Sequence, residues 1–219
     1  MKRRFLLAAL ALTVATPALW ATPQEDAVDY FRYVQLDNAS GVRDILARGL
    51  DPNLREPGHG ETGLILAMRY SANKTLDVLL AQPNINLELR APNGNTALMM
   101  AAFNHNMRGI KTLVAKGALV NQTGWSALHY SAASGDTEIT EFLLEHHAYI
   151  DCESPSGMTP LMIAAREGKD EVVQQLLAAG ADASLKDGGF HLTAAEFAVK
   201  YDKPWIAEAI QAYIKSHKQ

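Results

Sequence analysis

The chain predicts an all-α fold, an α-solenoid of about six stacked helix-turn-helix units with a capping unit at each end. Three observations predict it. A Thr or Ser followed by an apolar, alanine-rich run recurs in one register, at Thr62, Thr96, Ser126, Thr159 and Thr193. Behind each of the first four lies an amphipathic stretch closed by an aliphatic pair, namely Leu79-Leu80, Leu113-Val114, Leu143-Leu144 and Leu176-Leu177. Gly, Pro and Asn punctuate the segments between, where helices must stop. Two short helices cannot bury their apolar faces alone, so each unit needs neighbours stacked against it.

In chain order, residues 1–21 place Lys2, Arg3 and Arg4 ahead of an apolar run over 5–15, then Pro17 and a small residue at Ala21. That is the pattern of a Sec-type signal peptide cleaved near Ala21, and the run falls short of the roughly 20 residues of a membrane span. It predicts a periplasmic or secreted protein. Its removal takes away three cations and no acid, moving the formal charge from −4 to −7. An acidic chain argues against nucleic acid or an anionic membrane as partner, since both require a basic face. The single cysteine, Cys152, cannot form an intrachain disulfide. A small buried side chain is the expected role, with an intermolecular disulfide as the alternative.

Residues 22–219 form one domain, with units at about 26–59, 60–93, 94–123, 124–156, 157–188 and 189–215. The first is a helical hairpin over 27–36 and 42–48, stopped by Gly49, and differs from the rest as a terminal unit should. From Thr62 the opening hydroxyls succeed one another at 34, 30, 33 and 34 residues, each placed to cap its helix. The best-formed unit, 157–188, predicts helices over 160–167 and 171–179. The last opens its second helix with Pro204, carries a polar outer side and ends in a frayed tail from Ser216.

The run Gly157, Thr159, Pro160, Leu161, Gly168, Leu176-Leu177 and Gly180-Ala181-Asp182 resembles the ankyrin repeat pattern. So do Gly124, Ser126, Ala127, Leu128 and His129, and Gly94, Thr96, Ala97, Leu98 and Gly117-Ala118. The resemblance extends over about 26–214. It implies L-shaped units of two antiparallel helices with a projecting finger, stacked in a curve. Three departures carry expectations: a left-handed backbone at Asn84 and His147, which stand where glycine is usual; a finger about three residues short at 121–124; and one about one residue long at 54–60.

No converging set of acids, bases or nucleophiles is legible, and the chain predicts no enzyme, cofactor or metal. The resemblance gives His129 a structural hydrogen-bonding role between loops. His146 and His147 are adjacent and cannot chelate well, and His59 and His105 fall in different units. A hydrolase or metal enzyme built from His129 with Asp136 or Glu138 is the rival reading.

Function is therefore expected on the surface. Binding positions of the resembled family, carried over residue by residue, are Glu61, Arg69 and Tyr70, then Pro92, Asn93, Asn95, Phe103 and Asn104. They continue with Trp125, Ser134, Met158, Arg166, Glu167, Lys200 and Tyr201. Tyr70, Phe103, Trp125 and Tyr201 are aromatic, and aromatics with arginine dominate interface hot spots. Trp125 either fills the gap of the short finger or joins Phe103 in an apolar patch flanked by Arg69 and Arg166. Pro57 and Pro92 would stiffen their fingers. The leading reading is a monomeric, non-enzymatic protein-binding module of the cell envelope. An inhibitor or protector of a secreted toxin or enzyme is an alternative, and a host-directed effector a further one.

Overall fold

The computed structural model describes residues 22–217. The signal peptide expectation, on residues 1–21, lies outside them. Twelve helices are described, in six pairs: α1 (Pro23–Gln35) and α2 (Ala39–Ala47), α3 (Gly63–Arg69) and α4 (Asn73–Leu80), α5 (Ala97–Phe103) and α6 (Met107–Ala115). The remaining pairs are α7 (Ala127–Ser134) and α8 (Thr137–Glu145), α9 (Pro160–Glu167) and α10 (Asp170–Ala178), α11 (Ala194–Lys200) and α12 (Pro204–His217). No strand is present among the described residues, only one antiparallel bridge between Arg55 and Thr62.

Helix starts follow from side-chain caps, which satisfy donors that have no partner within the helix. The hydroxyls of Thr62, Thr96, Thr159 and Thr193 accept the N–H of Ile65, Met99, Met162 and Glu196 at 3.3–3.4 Å. Ser126 is the exception, its hydroxyl lying 2.9 Å from His129 Nδ1 and 3.2 Å from Cys152 Sγ. Among second helices, α4 begins at an alanine that cannot cap it. The preceding unit supplies the acceptor, with Asp37 Oδ1 2.8 Å from Thr75 N.

Alanines 67, 101, 102, 164 and 165 are completely or almost completely buried, and their small side chains let successive first helices come close. The core leucines of the second helices, Leu79, Leu113, Leu143 and Leu176, are fully buried. Truncating any of them to alanine would cost about 2–5 kcal/mol. First helices pack more intimately on one another than second helices do, so the stack bends with the first helices inside.

The backbone is left-handed at His147 as expected, with φ 63°. Asn84 is not left-handed, contrary to expectation. Pro83 takes the first corner of a turn closed by Ile85 N to Gln82 O at 3.3 Å, and Asn84 takes its second corner with a negative φ, as in a type I turn. Another departure is at the C-terminus, where α12 runs through Ser216 to His217 instead of fraying. His217 stacks on Tyr213 with ring centroids 4.0 Å apart and holds that last turn.

Finger lengths agree with the spacings. Glu56 N bonds Glu61 O, one residue further than the pairs Ala91 N to Asn95 O and Ser154 N to Met158 O, all at 2.9 Å. Only residues 116–126 separate α6 from α7, and no corresponding backbone pair closes that segment among the described hydrogen bonds. Side chains of the preceding finger hold it instead. Glu88 accepts the N–H of Leu119 at 2.8 Å and also bonds Gln122, while Arg90 reaches Gln122 and the carbonyl of Thr123.

Candidate functional site

The inner face of the bend is built from three recurring positions: the residue before each capping hydroxyl, and the two residues at the end of each first helix. Members of the first row mostly disappear into the fold. Glu61, Asn95 and Met158 are buried, which corrects the expectation that they present surface to a partner. Glu61 accepts both Nε of Arg69, at 2.9 Å, and a second guanidinium nitrogen. That bond raises the Arg69 pKa further, because the buried carboxylate stabilises the cation beside it. Removing Arg69 would strand a buried charge, so this arginine holds the fold as well as edging the face. Asn95 accepts from the Tyr130 hydroxyl, and Met158 offers its carbonyl to His129.

Trp125 belongs to the same row and is too large to vanish. It is half-buried, edge-on to His129 at 5.3 Å between ring centroids and 6.1 Å from Tyr130. It packs on the core and is left partly exposed. Phe103 is 48% exposed and meets Tyr130 perpendicularly at 6.0 Å. Three rings therefore run in line, with Tyr130 joining the other two. Sequence reasoning missed Tyr130. Its position holds Leu66, Met100, Ile163 and Phe197 in other units, all buried, and a hydroxyl at an otherwise apolar core position was the available signal.

At the helix ends, Tyr70 and Tyr201 are 52% and 43% exposed. Asn104 and Ser134, in register with them, are spent on stacking. Asn104 donates to the carbonyls of Met68 and Met100 at 3.3 and 3.0 Å, and Ser134 to that of Ala102 at 3.4 Å. Arg166 bonds its neighbour Glu167 at 2.8 Å and lies near the Met158 sulfur. Pro92 and Asn93 stand exposed at a finger tip. Lys200 sits 3.2 Å above the ring centre of Phe190, a cation–π contact with an exposed aromatic that sequence reasoning also missed. A phenylalanine following two glycines in a finger was the signal.

The chemistry near His129 is structural. The ring is buried, its Nδ1 accepts the Ser126 N–H at 3.2 Å, and its Nε2 donates to the Met158 carbonyl at 2.9 Å. Burial pushes its pKa down, so the neutral ring bridges two neighbouring fingers. Asp136 pairs with His105 at 2.8 Å and caps α8 through Ile139 N. It is therefore not the acid partner of His129. Cys152 is half-buried, less enclosed than expected, and burial raises its thiol pKa. Among the described residues no group of three or more His, Cys, Asp or Glu could hold a metal ion, and no helix is long and apolar enough to cross a membrane.

These helix pairs, fingers and inter-unit bonds agree with comparison to known proteins. A family model described as ankyrin repeats (3 copies) matches residues 31–123 and 99–187. The chain belongs to the ankyrin repeat family, whose members generally serve as non-enzymatic protein-interaction modules. It is 34% identical over 150 residues to SH3 and multiple ankyrin repeat domains protein 2 of Homo sapiens, covering 67% of this chain and 8% of that protein. Transient receptor potential cation channel subfamily A member 1 of Homo sapiens is 31% identical over 159 residues, covering 68% and 14%. Nuclear factor NF-kappa-B p105 subunit of Gallus gallus is 31% identical over 156 residues, covering 68% and 16%. The chain thus spans only a small part of each of these relatives.

Proposed function

We propose that this chain is a protein-binding module of the periplasm or cell envelope that grips a protein partner on the inner face of its first helices. The observation that carries this reading is the set of aromatic side chains left exposed there, Tyr70, Phe103 and Tyr201, with the outer part of Trp125 between them. Large rings held by a rigid scaffold bury much area on binding at small entropic cost. The rest of the row, Glu61, Asn95, Met158, Asn104 and Ser134, serves as their support. Compartment rests on the leader-like pattern of residues 1–21.

Affinity capture from a periplasmic extract, followed by mass spectrometry, would identify the partner. Tyr70→Ala with Phe103→Ala then tests the face, because both side chains project outward and their removal leaves the core intact. Binding should fall by about tenfold or more for two hot-spot rings, with an unchanged circular dichroism spectrum. Undiminished capture by the double variant would move the site elsewhere. Leader processing is read separately, by the N-terminal sequence of the exported protein.

A further inference from the structure

The outer face, formed by the second helices, carries a division of charge that the inner face does not explain. On α2, α4 and α6 with their closing residues stand Arg43, Arg48, Lys74, Arg108, Lys111 and Lys116, against Asp44 and Asp77. On α8, α10 and α12 stand Glu138, Glu141, Glu145, Asp170, Glu171 and Glu208, against Lys215. Two of the cations are used within the chain, Arg48 on Asp26 and Arg108 on Asp77. Lys74, Lys111 and Lys116, like Glu138, Glu141 and Glu145, are exposed and have no ion-pair partner among the described residues. The change of sign falls between α6 and α8, at the middle of the stack.

We propose that this face is a self-association surface, on which a second copy of the chain docks about a twofold axis lying between α6 and α8 and parallel to them. A surface that is basic at one end and acidic at the other complements itself under that operation, and a twofold interface uses the same patch on both copies. The alternative twofold, along the stack, would set cations on cations and acids on acids, an arrangement like charges disfavour. Curvature narrows the contact. An outward-bowed face brings its middle units together first, so α6 of each copy lies against α8 of the other. Rotation about that axis keeps height along the helices, so Lys111 faces Glu141 and Lys116 faces Glu145 of the second copy, twice over. The association is held by exposed charges and is therefore sensitive to salt. It leaves the inner face open, so a dimer would present two binding faces directed away from each other. This replaces the expectation of a monomer.

Sedimentation equilibrium of the purified chain at about 10 mM and about 500 mM salt should give a dimer in the first and a monomer in the second, as the screening length shortens severalfold. Lys111→Glu with Lys116→Glu should weaken the low-salt dimer by about tenfold or more, and Glu141→Lys with Glu145→Lys should do the same. An equimolar mixture of those two variants should associate again, since a wholly acidic face then meets a wholly basic one. Circular dichroism of each variant checks that the exposed substitutions leave the helices formed. A monomer at low salt, a dimer indifferent to salt and to charge reversal, or failure of the mixture to associate would each overturn the proposal.

Discussion

Two fingers standing side by side in the stack show how the molecule divides its labour. The finger before α9 is regular, closed by a backbone pair and tied to the next finger by Gly188 N bonding Ser156 O at 2.9 Å. The finger before α7 has lost residues and that closing pair, and is held by Glu88, Arg90 and Gln122. In the regular finger, Met158 before the capping hydroxyl is buried. Where the pattern is broken, Trp125 and Tyr130 reach the inner face.

The sharpest way to break that comparison is a pair of matched substitutions. Gly157 and Gly124 occupy equivalent places with φ 73° and 79°. A β-carbon on Gly157 would stand 2.7 Å from the backbone nitrogen of Gly188, whereas one on Gly124 would meet Pro155 at an ordinary 3.5 Å. Gly157→Ala should therefore destabilise by about 3 kcal/mol and Gly124→Ala by only about 1 kcal/mol, the left-handed backbone penalty alone. Chemical denaturation of the two variants checks the difference, and equal costs would mean that the short finger is as tightly seated as the regular one.

Next in size is the histidine that joins the two fingers. His129→Gln should cost about 2 kcal/mol by leaving a buried carbonyl or amide without its partner. Because burial lowers the folded-state pKa below the ordinary 6.5, the neutral ring's contribution is full above that pH. It declines as pH falls below 6.5 and the unfolded chain takes up a proton that the folded one resists. Stability measured between pH 7 and pH 5 should drop in the parent and less in the variant. A further acid-sensitive point lies in the C-terminal finger. Burial pushes the Asp187 carboxyl up, but the N–H groups of Phe190, Leu192 and Gly189 outweigh it and hold the pKa below 3.8. That stability is complete above 3.8 and lost as pH falls through the depressed value, so Asp187→Asn should remove part of the acid transition.

The smallest expected effects fall on the rings. Tyr130→Phe should cost about 1 kcal/mol through the lost bond to buried Asn95. Phe103→Ala should stay within about 0.5 kcal/mol, since its ring is largely exposed. A large loss of stability on truncating Phe103 would make the ring line part of the core and remove it from the binding face.

Much of this was legible because helix period, capping hydroxyls and stop residues act locally. The pair 160–167 and 171–179, read from one unit, lies within a residue of α9 and α10. Less legible were features decided by a neighbour in space. Asn84 stands in register with the usual stop glycine, but it sits at the second corner of the turn from Gln82 to Ile85, with a negative φ. Glu61 looked like a surface acid because its buried arginine contact joins residues 61 and 69 across a finger and a helix. Tyr130 was hidden by a core position, and its hydroxyl is accounted for only in space, by Asn95 of the preceding unit, with the Trp125 ring 6.1 Å away.

None of the described side-chain hydrogen bonds joins residues more than 38 apart in sequence. The stack is thus a chain of local links with no clasp between its ends. Small rotations at successive junctions add along its length, much as in a coiled spring, and the end units can open or close around a cargo while each interface shifts only slightly. Elastic adjustment of that kind would let one preformed row of rings fit surfaces of differing curvature without melting any helix.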